Sequence, residues 1–347
     1  WWRERKVNAP WAERYGGNFA LVEMLLAASR KAEADAKRGK RLLLSGIYVL
    51  MAGVIVGLVA FIEQATIADQ WRYWTVTYPY MRAQVRPYVL SAAKEQALKP
   101  GNSFKECAQD CPEMIVVPAG SFTMGGPTVV EQPHHTVTFA KSFAVSKYEV
   151  TFADWDACVI VGGCNGYKPN EQGWGGGQQP VINVNWDDAQ AYVAWLSLVT
   201  GKTYRLLTEA EYEYAARAGS TTTYPWGDDI KLNGQAMGDC NGCGSKWDAQ
   251  QPAPVGSFYP NDFGLYDMVG NVDEWTEDCL HKNYDGAPAD GSAWLQANGG
   301  DCTNRILRGG SWFFSPDILR SAFRFWFTPF TRNFFFGFRV VRTLLTP

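Results

Sequence analysis

Apolar residues run without a charge from Leu42 to Ile62, 21 residues, long enough to cross a bilayer as a helix. Ahead of this run, Leu21, Met24, Leu25 and Ala28 recur at helical spacing, so residues 19–40 are predicted to form an amphipathic helix leading into it. After it, residues 66–90 carry Trp71, Tyr73, Trp74, Tyr78, Tyr80 and Tyr88 among arginines, the mixture favoured at a membrane–water interface, with a partner-binding surface as the alternative. Beyond residue 113 the periodicity is broken up by turns. Only two stretches there read as helices. Asp187 to Thr200 places Ala189, Tyr192, Val193, Leu196 and Val199 at helical spacing before Gly201. Glu209 to Ala218 follows Thr208 as N-cap, with Glu211 three residues on and Gly219 as the stop.

Charge orients the apolar run. Arg30, Lys31, Lys37, Arg38, Lys40 and Arg41 precede it, whereas only Arg72, Arg82 and Arg86 follow at comparable distance. The cationic side is expected in the cytoplasm. A cleaved signal peptide is disfavoured by the 41 residues ahead of the run, and a buried core helix by the abrupt cationic border. All eight cysteines lie after it: Cys107, Cys111, Cys158, Cys164, Cys240, Cys243, Cys279 and Cys302. An even number on one side of a span indicates disulfides and an oxidising compartment. Sequence leaves their connectivity open; pairing of neighbours is the simplest arrangement, and half a zinc site at Cys240 and Cys243 is the rival. The expected placement is a bacterial inner membrane, single-pass, with the C-terminal domain in the periplasm. A net charge of −3 and the lack of a basic stripe argue against nucleic acid. The chain opens on Trp1 rather than Met and is compatible with a fragment.

Three turn-like runs lie near the C-terminus: Gly270-Asn-Val-Asp-Glu-Trp275, Arg308-Gly-Gly-Ser-Trp312 and Gly337-Phe-Arg339. Upstream, in order, stand Met114 to Gly125, Val145 to Thr151, Pro180 to Trp186, Arg205 to Glu211 and Tyr224 to Gly227. Together they resemble the formylglycine-generating enzyme family, also called the sulfatase-modifying factor family. The resemblance implies an α+β, C-type-lectin-like fold that is rich in turns. The 34 glycines, 18 prolines and 15 tryptophans, most of them after residue 113, agree with aromatic anchors holding irregular loops. The expected organisation is a cytoplasmic stub with an amphipathic helix over residues 1–41, a transmembrane helix over 42–62, an aromatic interfacial connector over 63–112, and the family domain over 113–347.

The resemblance implies an activity that these residues do not support. Members that make formylglycine bind copper through two cysteines shortly after the Gly-Gly-Ser-aromatic motif. Aligned on Gly309-Gly310-Ser311, those positions hold Phe314 and Leu319, which cannot ligate Cu(I) or exchange a disulfide. No copper is expected. The iron-dependent sulfoxide synthases of the same family need three histidines from an added domain, whereas this chain has only His134, His135 and His281. What replaces the cysteines is aromatic: Phe313, Phe314, Phe323, Phe325, Trp326, Phe327, Phe330, Phe334, Phe335 and Phe336, interleaved with Arg320, Arg324 and Arg332. These rings are expected to form a binding face for a protein partner or ligand; an aromatic core stacked on the arginines is the alternative. The framework of Gly309, Gly310, Ser311, Trp312, Arg320, Ser321, Ala322, Arg324, Pro329, Arg332, Asn333, Gly337, Phe338 and Arg339 also resembles the variable region of diversity-generating-retroelement proteins, which share the fold.

Calcium is the one cofactor the resemblance implies, with turn-forming carboxylates that hold no metal as the alternative. Asp267 and Glu274, with the carbonyls of Gly270 and Val272, match one family site; Asp239, the Cys240 carbonyl and Asp248 match a second less closely. The function expected is that of a membrane-anchored extracytoplasmic interaction protein without catalysis. A formylglycine-generating oxidase or diverged enzyme, and an accessory subunit of a larger membrane complex, are the alternatives.

Overall fold

The computed structural model describes residues 10, 14 and 18–345; the rest of the stub read over residues 1–41, and the last two residues, lie outside them. It divides into two units, Trp1–Trp71 and Arg72–Pro347.

The first unit is one helix, α1 (Phe19–Arg72, its last residue in the second unit). Asn18 caps it by accepting from the Leu21 amide, and Lys37 pairs with Glu33 one turn back. The helix does not break between the amphipathic stretch and the apolar one. The window of highest hydropathy in this helix is entirely unburied.

The second unit opens with a helical connector. Wide π-helical turns, Tyr73–Thr77 and Met81–Val85, flank Tyr78–Tyr80. Pro79 has no N–H to give an α-helical ladder, and the wider turns take over around it. A short helix, α2 (Ala92–Gln96), follows, capped by Ser91. The strands are β1 (Ser103–Lys105), β2 (Glu113–Val117), β3 (Gly120–Met124), β4 (His135–Phe139), β5 (Phe143–Ser146), β6 (Tyr204–Leu206), β7 (Lys231–Leu232), β8 (Gln235–Ala236), β9 (Asp273–Leu280), β10 (Asp301–Arg308), β11 (Phe325–Phe327), β12 (Phe336–Gly337) and β13 (Val340–Arg342). A five-stranded sheet runs β1-β2-β5-β13-β6, so β1 adds a segment read as connector to the edge of the domain. A second sheet runs β11-β10-β9-β12, antiparallel except for β12 against β9.

The five-stranded sheet is apolar on both faces. Met114 and Val116 of β2 join Trp155, Tyr192 and Leu196, whereas Ile115 and Val117 join Val137, Tyr212 and Ala215. Alternate residues point to opposite faces of a strand, which is why this run reads as unbroken hydrophobicity.

Three further helices pack here: α3 (Phe152–Ile160), α4 (Trp186–Thr200) and α5 (Glu209–Arg217). The last two match the periodicity. In α5 the Thr208 hydroxyl accepts from the Glu211 amide (3.0 Å) and Glu211 accepts from the Thr208 amide (2.9 Å), closing the expected capping box. The third helix, α3, corrects the reading of two. Its capping box uses Thr151 and Asp154, an acid one methylene shorter than the usual Glu, and Gly162-Gly163 follow soon after its end. The eight cysteines pair as neighbours, 107 with 111, 158 with 164, 240 with 243 and 279 with 302, so no thiol is free and the zinc half-site falls away.

Candidate functional site

The three C-terminal motifs form one construction. The Gly270 amide donates to the Gly309 carbonyl (2.9 Å), the Trp312 amide to the Asn271 carbonyl (2.9 Å), and the Asp273 amide to the Phe335 carbonyl (2.9 Å). Gly270 has φ +84°, and a Cβ there would strike the Asp239 carbonyl. Both the left-handed backbone and the close approach require glycine.

Arginines bracket the segment from inside. Arg308 is wholly buried; it meets Glu213 at 2.6 Å and donates to the carbonyls of Ser321, Ala322 and Phe323. Arg324 binds Glu209 through two bonds, 2.6 and 3.0 Å. Arg320 pairs with Glu131, Arg332 with Asp188, and Arg339 with Glu274. Burial alone would raise the Glu209 carboxyl, but Arg324 and Arg308 outweigh it and hold Glu209 below its ordinary value. Thus Arg308 and Arg324 are buried with their acids and Arg320 reaches a buried one, whereas Arg332 pairs with Asp188 from an exposed position. Only Arg320 is placed over a ring of that segment, 5.7 Å from the Phe323 centroid, among the described residues.

Next to this network Asp278 accepts from the Glu209 and Trp294 amides (2.8 Å each), and burial, then Glu209, pushes its carboxyl up to about 8. An acid that resists ionising in the fold favours folding while protonated. Its contribution is full below the unfolded value of about 4 and is lost as pH rises through about 8. Melting temperature is therefore expected to fall between about pH 5 and pH 8, and Asp278→Asn to start lower, having lost an acceptor, but to fall less steeply. Equal slopes for parent and variant would remove Asp278 from the account.

The aromatic segment divides in two. Phe330 is 74% exposed, Phe313 46%, and Trp326 and Phe327 37% each. Phe314, Phe323, Phe325 and Phe334 are half-buried. Phe335 and Phe336, expected on the face, are buried instead. Phe336 lies in β12 opposite Asp273 and packs against Trp275, and Phe335 lies flat under Phe313, with centroids 5.6 Å apart. Of the exposed rings, Phe313 rests on Phe335 and Phe327 on Phe336, with Phe314 touching both Phe313 and Phe335, whereas Trp326 turns to the other side of β11 and lines a hollow with His281 and Trp294. Phe314 and the buried Leu319 form a small core with Tyr224 and the Cys240–Cys243 disulfide. The groups here are hydrocarbon, which offers no lone pair, and disulfide sulfur, neither of them the thiolate that Cu(I) requires.

The expected calcium ligands are placed unevenly. Asp267 accepts from the Gly256 amide with one oxygen, and its other oxygen is buried without a partner. Glu274 faces Arg339 (2.7 and 2.8 Å) and Tyr212, so its carboxylate is already engaged. Beside them stands Glu149, unassigned in sequence although its motif, Tyr148-Glu149-Val150-Thr151, is one that carries the family resemblance. Asn271 donates to one of its oxygens (3.0 Å), and the other is buried without a partner. Burial, then Asp267 and Glu274, raise Glu149 well above the usual carboxylate range; burial pushes Asp267 up to about 6. Two unsatisfied carboxylate oxygens in one charged cluster suit a hard cation. Among the described residues no three such side chains alone make a metal site, so the carbonyls of Gly270 and Val272 would have to complete it. In the second set Asp239 keeps one unpartnered oxygen and is pushed up to about 7 by burial, whereas both oxygens of Asp248 accept from the Gly242 and Gly244 amides. The Cys240 carbonyl accepts from the Cys243 amide at 3.5 Å.

The histidines are spent separately: His134 on the Gly126 carbonyl, His135 on that of Pro133, and His281 on that of Cys279.

The pattern of a sulfatase-modifying factor enzyme 1-like domain matches residues 99–344. The chain belongs to this family. The formylglycine-generating enzyme of Mycobacterium tuberculosis is 30% identical over 276 residues, spanning 59% of this chain and 88% of that protein. Among solved structures, PvdO from Pseudomonas aeruginosa is 42% identical with a TM-score of 0.65, over 71% of this chain and all of that one. Treponema denticola variable protein 1 is 25% identical with a TM-score of 0.53, over 67% and 95% of the two chains. The family assignment and the likeness to a variable protein both agree with the motifs.

Proposed function

We propose that this protein is a membrane-anchored, extracytoplasmic member of its family that binds a partner through the outer aromatic layer and does not make formylglycine. The observation that carries the reading is the exchange of two cysteine positions for Phe314, which packs against the exposed Phe313, and the buried Leu319, in a segment where Phe327 and Phe330 also remain exposed. Exposed aromatics on a rigid base are the kind of residue that dominates interfaces. The unburied apolar stretch of α1, its cationic border and the four disulfides support a single span with the domain outside the cytoplasm. Calcium would be held by Glu149, Asp267 and the Gly270 and Val272 carbonyls, pinning the turn beneath the site.

Changing Phe327 and Phe330 together to Ser is expected to shift the melting temperature little, because exposed positions usually change stability by less than about 0.5 kcal/mol. The same change should weaken partner copurification from mild detergent at least tenfold, since aromatic anchors carry about 2 kcal/mol or more. Unchanged copurification, or formylglycine on a Cys-x-Pro-x-Arg peptide with added copper, would sink the reading.

One observation favours a second reading, a diverged enzyme. Asp273 and Ser311 lie side by side and buried at the same place, and neither carboxyl oxygen nor the hydroxyl makes a well-formed hydrogen bond. A buried polar group left unsatisfied calls for an explanation, and a catalytic role is one of them. Asp273→Asn that leaves partner binding intact but abolishes the biological activity would favour it.

A further inference from the structure

We infer that the connector and the tip of α3 form a surface on the second unit that rests on an anionic lipid bilayer; the inference rests on the membrane reading proposed above. Trp74 is 62% exposed, Ile160 69% and Val76 37%. Two hydrogen bonds hold Ile160 beside the connector: Arg72 donates to the Val159 carbonyl (3.2 Å) and the Thr77 hydroxyl to the Val161 carbonyl (2.8 Å). These flank Ile160 on both sides, so its backbone lies beside the first turns after α1 while its side chain stands in solvent. Tyr73, Trp74 and Tyr78 form one ring group, with centroids 5.2–6.4 Å apart, and the Arg86 guanidinium lies 5.4 Å from the Tyr78 ring.

An exposed Trp on the connector and an exposed Ile at the tip of α3 need an occupant, and three arguments choose lipid. The connector follows directly on the helix that carries the 21-residue apolar run, so covalent linkage keeps it near whatever surface that run enters. Tryptophan and tyrosine belong at the headgroup level, where one edge of the ring is apolar and the other is wet. Residues 70–94 hold Arg72, Arg82, Arg86 and Lys94 and no acid, a charge that complements anionic headgroups. Asp156, one turn before Ile160 and exposed, would mark the aqueous edge of the contact.

The test uses the full chain in nanodiscs of phosphatidylcholine and phosphatidylglycerol. The photoreactive residue p-benzoylphenylalanine replaces, one at a time, Ile55 in the apolar run, Trp74, Ile160 and Phe330 on the aromatic face, and adducts are read by mass spectrometry. Lipid adducts are expected at 55, 74 and 160 and not at 330. Yields at 74 and 160 should rise at least twofold with added phosphatidylglycerol and fall back in high salt, as screening requires. Adducts at 55 without any at 74 and 160 would overturn the surface and leave the span standing. Protein adducts in place of lipid ones at 74 and 160 would overturn it in favour of a protein contact. No lipid adduct even at 55 would overturn the membrane reading itself.

Discussion

Arg308→Ala is expected to leave the domain unfolded or barely folded at 37 °C. The side chain is fully buried, and its guanidinium is the junction of Glu213, Glu209 and three main-chain carbonyls from Ser321 to Phe323. Removing one partner of a buried ion pair costs about 3–5 kcal/mol because the other charge stays buried. Each carbonyl left without a donor adds about 1–3 kcal/mol. Those losses rival the whole stability of an ordinary domain, about 5–15 kcal/mol. Arg308→Met combined with Glu213→Gln should recover part of the loss, since the stranded charge goes with its partner. Circular dichroism melts decide the matter: an Arg308→Ala variant melting within about 2 °C of the parent would mean the network carries little of the fold.

That network also marks where sequence stopped being readable. The helix α5 was legible from Thr208, Glu211 and Gly219, because capping is local chemistry written three residues apart. What the same helix does with Glu209, Glu211 and Glu213 was not. Alternate acids along a short helix look like a solvated face, yet all three are buried and face arginines, two of which lie about a hundred residues downstream. The motifs gave the family because its turns depend on glycines at fixed positions, and Gly270 against the Asp239 carbonyl shows the constraint at work. The disulfides take the simplest arrangement, neighbour with neighbour, although sequence alone left their connectivity open. The aromatic face was only half legible: composition shows that so many rings in one irregular stretch cannot all be core, but which ones turn inward depends on strand register. Phe336 is buried because β12 pairs it with Asp273, a parallel bridge between segments 63 positions apart. Glu149 went unassigned for a related reason. A glutamate in an apolar strand-end motif gives no sign of its partners, and only the fold brings Asn271 and Asp267 to it from more than a hundred residues away.

Withdrawing calcium is expected to lower the melting temperature of the full chain by roughly 5–10 °C. An ion that binds only the folded state stabilises it by about 2.7 kcal/mol when free calcium stands at a hundred times its dissociation constant, and a domain of this size shifts about 2–4 °C per kcal/mol. The choice of ligands makes the expectation specific. Glu149→Gln keeps an oxygen for the Asn271 amide, which now donates at 3.0 Å, but removes the charge a hard cation needs. It should therefore abolish the response to calcium. It should also raise the melting temperature in chelator, because a buried carboxylate crowded by Asp267 and Glu274 is no longer there to be desolvated. Asp267→Asn should behave alike, its remaining oxygen still accepting from the Gly256 amide. Glu274→Gln separates the two roles assigned to this cluster. Its carboxylate pairs with Arg339 at 2.7 Å in the buried interior, so its loss should lower the melting temperature equally with and without calcium. Melts of the parent and the three variants, each in calcium and in chelator, read all of this at once. A parent indifferent to calcium would remove the ion from the account, and a Glu274→Gln variant that loses only the calcium response would return Glu274 to the ligand set in place of Glu149.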